Sequence, residues 1–412
     1  MSATAAARPS SATLILLASL YCAQGLPSGL IAHALPALLR QHGVDLALIG
    51  LLKLLALPWL LKVLWAPWVD RLASRRLGHH RGWILPLQSL VILCVAGLAL
   101  ISPDRLFGDG FSWLLGILLL VNLAASTQDI ATDGLTVRLL PERWRGLGNS
   151  LQVGGYKLGM IASGSGLLLV IGALGWNQAL ALLAALTVLM TVPVLLFNER
   201  RVLAPALGLG PALSPRLLLD TYRGFLTQPG MALWLALVLT FKLGDALGSP
   251  MIKPMLVDQG WSTTALGQLT LVTSLAGIAG AFIGGLGYAR LGIWRALLLF
   301  GAMQALGISA LGLLVERGAE PIWVYALCIF EQMADGMSTV ALFAGMMRMC
   351  RAGSEGADFT LQASTQILLA GLVGALSGAL ANALGYEGLF VSAGVLGVCS
   401  LLLVVYGYRR LG

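Results

Sequence analysis

Twelve apolar runs, each long enough to cross a lipid bilayer, govern what this chain can fold into. About 20 apolar residues of helix span the hydrocarbon layer. The runs fall at 12–40, 46–69, 82–102, 111–137, 148–172, 176–197, 229–257, 262–289, 296–315, 321–347, 358–384 and 386–407. Only 11% of residues are charged and 58% are hydrophobic, whereas a soluble domain carries about a quarter charged residues. The expected fold class is an all-α membrane protein with twelve transmembrane helices. No cleavable signal peptide is expected, because the first apolar run exceeds the roughly 7–15 residues of a signal h-region.

The net charge of +8 resides in short loops between apolar runs, so it speaks of topology and not of nucleic acid. With both termini in the cytoplasm, eighteen arginines fall on the inner side; the outer loops carry Arg105 and Arg317, with Arg40 near a boundary. That bias predicts inside termini. The longest hydrophilic interruption, 198–228, separates an N-terminal six-helix bundle (1–197) from a C-terminal one (229–412). It reads as a cytoplasmic linker holding an interfacial helix, with Ser214 and Pro215 at its start. A plain loop is the alternative. The halves read as a repeat: Arg138–Gln152 lines up without gaps on Arg348–Gln362, matching Arg, Gly, Leu and Gln at one offset.

Within the run 111–137, Asp129 and Asp133 are four apart and share one helical face. A carboxylate at bilayer depth costs roughly 2.5–3.5 kcal/mol, so this face reads as the wall of a wet interior. Glu331 and Asp335 repeat the spacing in the tenth run. All four are candidates for proton coupling, since a desolvated carboxyl can take up and release a proton near physiological pH. The structural alternative for Asp129 or Asp133 is an ion pair with Lys157. Lys242 and Asp245, three apart, are expected to pair with each other.

The chain's five lysines, Lys53, Lys62, Lys157, Lys242 and Lys253, all lie inside predicted spans. Lys53, Lys157 and Lys253 can attract an anionic ligand; Lys62 is expected to be structural, by snorkelling or by pairing across helices. Further cavity candidates are Gln24, His33, Gln128, Tyr156, Gln362 and Gln366. Tyr156 stacks on an aromatic ligand or bonds a neighbouring helix, and His33 is a proton relay or a hydrogen-bonded histidine. Asp70, Arg71, Arg75, Arg76 and Glu142 are expected to tie helix ends together inside the cell. The five cysteines stand alone in apolar runs, and the four histidines are scattered. No metal site and no cofactor is expected. The absence of HExxH, GxSxG and Walker A patterns argues against an enzyme.

The twelve runs, the two halves and the turn Ala66-Pro-Trp-Val-Asp70-Arg71-Leu-Ala-Ser-Arg75-Arg76 resemble the major facilitator superfamily. Three motifs narrow the likeness: Lys62-Val-Leu-Trp65-Ala-Pro67-Trp-Val-Asp70-Arg71, Ala125-Ser126-Thr127-Gln128-Asp129-Ile130-Ala131-Thr132-Asp133-Gly134, and Gly155-Tyr156-Lys157-Leu158-Gly159. Together they resemble the AmpG-type branch of permeases, which includes muropeptide and siderophore importers. The compact length and the opening Leu20-Tyr21-Cys22-Ala23-Gln24-Gly25-Leu26-Pro27 look more like inner-membrane siderophore importers of the pyochelin and rhizobactin type. The resemblance implies two pseudo-symmetric bundles around a central cavity. It implies a monomeric, multi-pass secondary transporter of the bacterial inner membrane, in contact with lipids and working by alternating access with protons. The cargo expected on this ground is a ferric siderophore, with a muropeptide as the alternative small-molecule substrate and a drug or metabolite exporter a more distant one.

Overall fold

The structure, a computed structural model, describes residues 8–72, 77–203, 215–317 and 320–411. It is all-helical, with no strand among the described residues. The principal helices are α1 (Ser11–Gly29), α2 (Arg81–Ala99), α3 (Phe111–Leu139), α4 (Arg145–Ile161), α5 (Trp176–Leu196), α6 (Pro215–Leu226), α7 (Met231–Thr240), α8 (Thr263–Ala310), α9 (Pro321–Arg348) and α10 (Glu355–Leu411). Two of them are capped by their own N-cap serines: Ser10 accepts the Thr13 N–H (3.2 Å) and Ser262 the Ala265 N–H (3.3 Å). Eight helical stretches among the described residues are long and apolar enough to cross a membrane. Two of these are double. Gly292 and Gly385, both at φ 72°, take the left-handed conformation inside α8 and α10, which only glycine adopts at no steric cost.

The second apolar run departs from the sequence reading of one helix over 46–69. It is a string of short pieces, Leu46–Gly50, Leu51–Ala56, Leu57–Leu61, Lys62–Leu64 and Ala66–Arg71, two of them 3-10 turns. Pro58 and Pro67 are the reason. Each lacks an N–H and is tolerated only in a first helical turn, so each begins a new piece. The linker holds a helix at Pro215–Leu226; Ser214 lies outside the described residues.

Contacts divide the chain into two compact units. The first comprises Met1–Pro141, Gly154–Thr221 and Cys350–Thr360; the second comprises Glu142–Val153, Tyr222–Met349 and Leu361–Gly412. The two short segments out of sequence order are the ones that align in the internal repeat. In the first unit, Asp70 accepts the backbone N–H groups of Gly356 (3.2 Å) and Ala357 (2.7 Å), capping α10. In the second unit Gly146 lies against Gly285, where a Cβ would meet the Gly285 carbonyl at 2.9 Å. Ser150 bonds the Ala281 carbonyl there (2.7 Å).

Close backbone contact also places α4 against α1. A Cβ on Gly25 would stand 2.2 Å from the Tyr156 carbonyl, and one on Gly159 would stand 2.3 Å from that of Cys22. Small residues permit such approaches between membrane helices. Both helices continue into π-helical turns, Leu30–Ala34 and Ala162–Gly166. At the other end of the first unit, the buried Glu199 accepts the N–H groups of His80 (3.1 Å) and Arg81 (2.9 Å) at the start of α2. Nδ1 of His80 lies 2.8 Å from the same carboxylate.

Candidate functional site

A cavity of about 750 Å³ opens in the first unit, between α1 with its π turn, the broken second run, α3 and α4. Its wall is mostly apolar, with a few polar groups among the lining residues: Ser28, Lys53, Trp59, Asn122 and Tyr156. The size and composition are those of small-molecule sites. The indole N–H of Trp59 donates to Asn122 Oδ1 (3.0 Å), whose amide in turn donates to the Leu118 carbonyl (3.1 Å). Trp59 and Tyr156 meet edge to face, with ring centroids 6.5 Å apart. Aromatic rings in a cavity wall stack on flat or C–H-rich ligand surfaces. Lys53 has no hydrogen bond or ion pair among the described residues, so its ammonium is available to an anionic group.

Beside this cavity lies a buried charge cluster. The Lys62 ammonium pairs with Asp129, both groups being almost wholly inaccessible to solvent. It also stands 5.5 Å from the centre of the Trp59 ring, within cation–π range. One turn further along α3, Asp133 accepts the Tyr21 hydroxyl (3.0 Å), which lies 2.9 Å from the Thr136 hydroxyl. One ammonium faces two carboxyl groups here, so the cluster is neutral only when one carboxyl carries a proton. The structural alternative, an ion pair of Asp129 or Asp133 with Lys157, is not the pair that forms. The 3-10 turn Lys62–Leu64 instead aims Lys62 inward, and Lys157 remains half-buried on α4 outside the cavity wall.

The second unit has a cluster of like design. Lys242 pairs with Asp335 (2.6 Å) and donates to Ser338 Oγ (2.8 Å) and Gln304 Oε1 (3.2 Å). The expected Lys242–Asp245 pair does not form. Lys242 sits at φ −104°, ψ 6°, outside the helix that begins at Leu243, so three-residue helical spacing does not apply. Asp245 instead accepts the Ser249 hydroxyl (2.7 Å), which also lies 3.3 Å from Glu331 Oε1. Gln332 donates to the other oxygen of Glu331 (2.9 Å). Ser249, Glu331 and Gln332 border a second cavity of about 340 Å³, lined also by Lys253.

Other candidates fall elsewhere. Gln128 donates to Gln88 (3.1 Å) behind α3, and Gln362 accepts the Trp234 indole N–H (2.7 Å). Both serve packing between helices and do not line the cavities. Gln24 and Gln366 are buried and line neither cavity. His33 is exposed on the π turn, packed beside Gly164. Glu142 pairs with Arg348 (3.1 Å), and Asp70 accepts backbone N–H groups. Arg71 has no ion pair among the described residues, and Arg75 and Arg76 lie outside them. The sequence reading missed Trp59, Asn122, Tyr21 and Gln304. Asn122 had a signal: it precedes Asp129 by seven residues and so continues the polar stripe of α3.

The E. coli fucose:proton symporter superposes with a TM-score of 0.73 at 14% identity, covering 97% of this chain and 99% of that one. A bacterial homologue of the iron transporter ferroportin gives 0.70 at 15%, covering 97% and 99%. The fold is that of a major facilitator transporter. A family model described as acetyl-coenzyme A transporter 1 matches residues 13–173. The anhydromuropeptide permease of Escherichia coli K12 is 29% identical over 401 residues, 97% of this chain and 79% of the relative. Transporter AmpG 4 of Rickettsia conorii is 25% identical over 395 residues, 93% of each chain. The protein is thus a multi-pass membrane transporter with AmpG-like permeases among its homologues.

These relatives overturn the expectation of siderophore import. The residues behind that expectation explain the error: Tyr21 binds Asp133 and Gly25 admits the Tyr156 backbone. The opening motif therefore encodes helix packing and says nothing about cargo.

Proposed function

We propose that this protein is a bacterial inner-membrane permease that imports anhydromuropeptides, sugar–peptide fragments of the cell wall, by alternating access and proton symport. The observation that carries the reading is the 750 Å³ cavity of the first unit. It offers what such a cargo asks for: aromatic faces for a sugar ring, an amide and a hydroxyl for its polar groups, and a free ammonium for a carboxylate. The likeness to the anhydromuropeptide permease over 97% of the chain supports the same cargo. In this reading Trp59 and Tyr156 hold the sugar and Lys53 an acidic group. Asp129 and Asp133 exchange the proton that their cluster needs for neutrality. Twelve spans with cytoplasmic termini fit the described helices, since α8 and α10 each divide at a glycine and residues 46–71 and α9 supply two more.

The test is uptake of labelled anhydromuropeptide into proteoliposomes of the purified protein. Accumulation is expected only with an inward proton gradient, and uptake no greater than in empty liposomes would refute the proposal. Lys53→Gln and Trp59→Ala are expected to raise KM about tenfold or more, as the loss of a charge-assisted bond or a stacking ring does. Asp133→Asn is expected to lose gradient-driven accumulation while retaining exchange of cargo across the membrane.

A further inference from the structure

The polar groups of the first unit's cavity form one connected wall. The Tyr156 hydroxyl lies beside Ser28, the Tyr156 ring meets Trp59, and Trp59 bonds Asn122. A primary amide carries two N–H donors and one carbonyl acceptor. In Asn122 the carbonyl oxygen takes the Trp59 indole N–H (3.0 Å), and one amide N–H goes to the Leu118 carbonyl (3.1 Å). Those two bonds fix the amide and leave its second N–H without a partner among the described residues. Asn122 is only 7% exposed and lines the cavity, so the cavity is the side from which a partner for that N–H comes. Ser28 is the converse. Its hydroxyl proton goes to the Gln24 carbonyl (3.2 Å), so it faces a ligand as an acceptor. A hydroxyl oxygen has two lone pairs, and one stays open even when the Tyr156 hydroxyl uses the other. The wall thus offers one spare donor and one spare acceptor, joined by two aromatic rings. A secondary amide needs that set: its carbonyl takes the donor, its N–H the acceptor. An acetyl methyl adds C–H surface for the rings.

We infer that Asn122 and Ser28 read an acetamido group of the cargo and make this cavity selective for N-acetylated sugars. The inference rests on the anhydromuropeptide reading and adds to it the residues that tell an N-acetylated sugar from a plain one. An acetamido group hangs directly on the sugar ring that Trp59 and Tyr156 hold, so it falls beside Asn122 when the ring is stacked. Lys53 acts on an acidic group and takes no part in this choice.

The experiment measures uptake into proteoliposomes of three labelled compounds: an anhydromuropeptide, and the same molecule with its acetamido groups replaced by acetoxy or by hydroxyl. Acetoxy keeps the carbonyl acceptor and loses the N–H donor; hydroxyl loses both. The wild type is expected to show KM rising about fivefold at each step, the loss of one hydrogen bond. Asn122→Leu is expected to raise KM about fivefold for the acetamido and acetoxy compounds and to leave the hydroxyl compound near its wild-type value. Ser28→Ala is expected to raise it for the acetamido compound alone. Equal KM values of the wild type for all three, or equal effects of Asn122→Leu on all three, would overturn the inference. Should Asn122→Leu fail to fold, the wild-type series and Ser28→Ala decide. If the wild type moves none of the compounds, the permease reading fails by itself. The site is then judged by equilibrium binding of N-acetylglucosamine and of glucose to the purified protein. Preference for the former that Ser28→Ala weakens sustains the site, and equal binding of the two sugars removes it.

Discussion

Replacing Asp129 by Asn removes the carboxylate in contact with the buried Lys62 ammonium and leaves Asp133, a turn away, as the counter-charge in the cluster; breaking a buried pair costs up to about 3–5 kcal/mol. A large fall in melting temperature is expected for Asp129→Asn, and recovery of most of it in the double variant Lys62→Met, Asp129→Leu, which removes both charges. A melting temperature for Asp129→Asn equal to that of the wild type would contradict the buried pair. A second residue-scale effect concerns His79, which stands outside the membrane spans. Burial lowers its imidazole to about 4, helped by the neighbouring His80 and opposed by Glu199. Its unfolded value is near 6.5, so the unfolded chain binds the proton first. Stability is therefore complete above pH 6.5 and declines as the pH falls from there toward 4. Melting curves across that range are expected to show the decline, and His79→Gln to flatten it. At this scale the sequence revealed which residues are chemically unusual but not whom they touch. Lys62 and Asp129 are 67 positions apart, and the turn that joins them depends on how Pro58 and Pro67 divide the second run.

At the scale of elements, helix contact in this fold depends on missing side chains. Gly25→Ala and Gly159→Ala each push a methyl group into a partner backbone at 2.2–2.3 Å. Overpacking of this kind costs typically 1–3 kcal/mol, and a lower yield of folded protein is expected by size-exclusion chromatography. Gly172→Ala, with open space around it, serves as the neutral control. The apolar runs themselves were legible because length and composition decide whether a helix suits a bilayer. The interior of a run was less so. The π turns after α1 and α4 and the breaks in residues 46–71 arise from packing and from proline, and hydropathy averages over both.

For the whole molecule, the asymmetry of arginines between alternate loops predicts an orientation with both termini inside. A cytoplasmic reporter fused after Val202 is expected to be active, and one fused after Leu106 inactive; the reverse pattern would invert the assigned topology. The sequence aligns Arg138–Gln152 with Arg348–Gln362, and the structure adds that the segments Glu142–Val153 and Cys350–Thr360 pack out of sequence order. The cargo was not visible. A permease motif that fixes helix contacts is shared by transporters of unlike solutes, and only the lining of a cavity distinguishes them. One feature of that lining reaches beyond recognition. The ammonium of Lys62 touches two things at once, the carboxylate of Asp129 and the ring face of Trp59. Linkage makes any such sharing reciprocal. Whatever weakens the hold of the ammonium on the ring by occupying it also changes its hold on the carboxylate, and a change at the carboxylate returns to the ring by the same factor. One methylene chain thus makes two separate equilibria answer to each other.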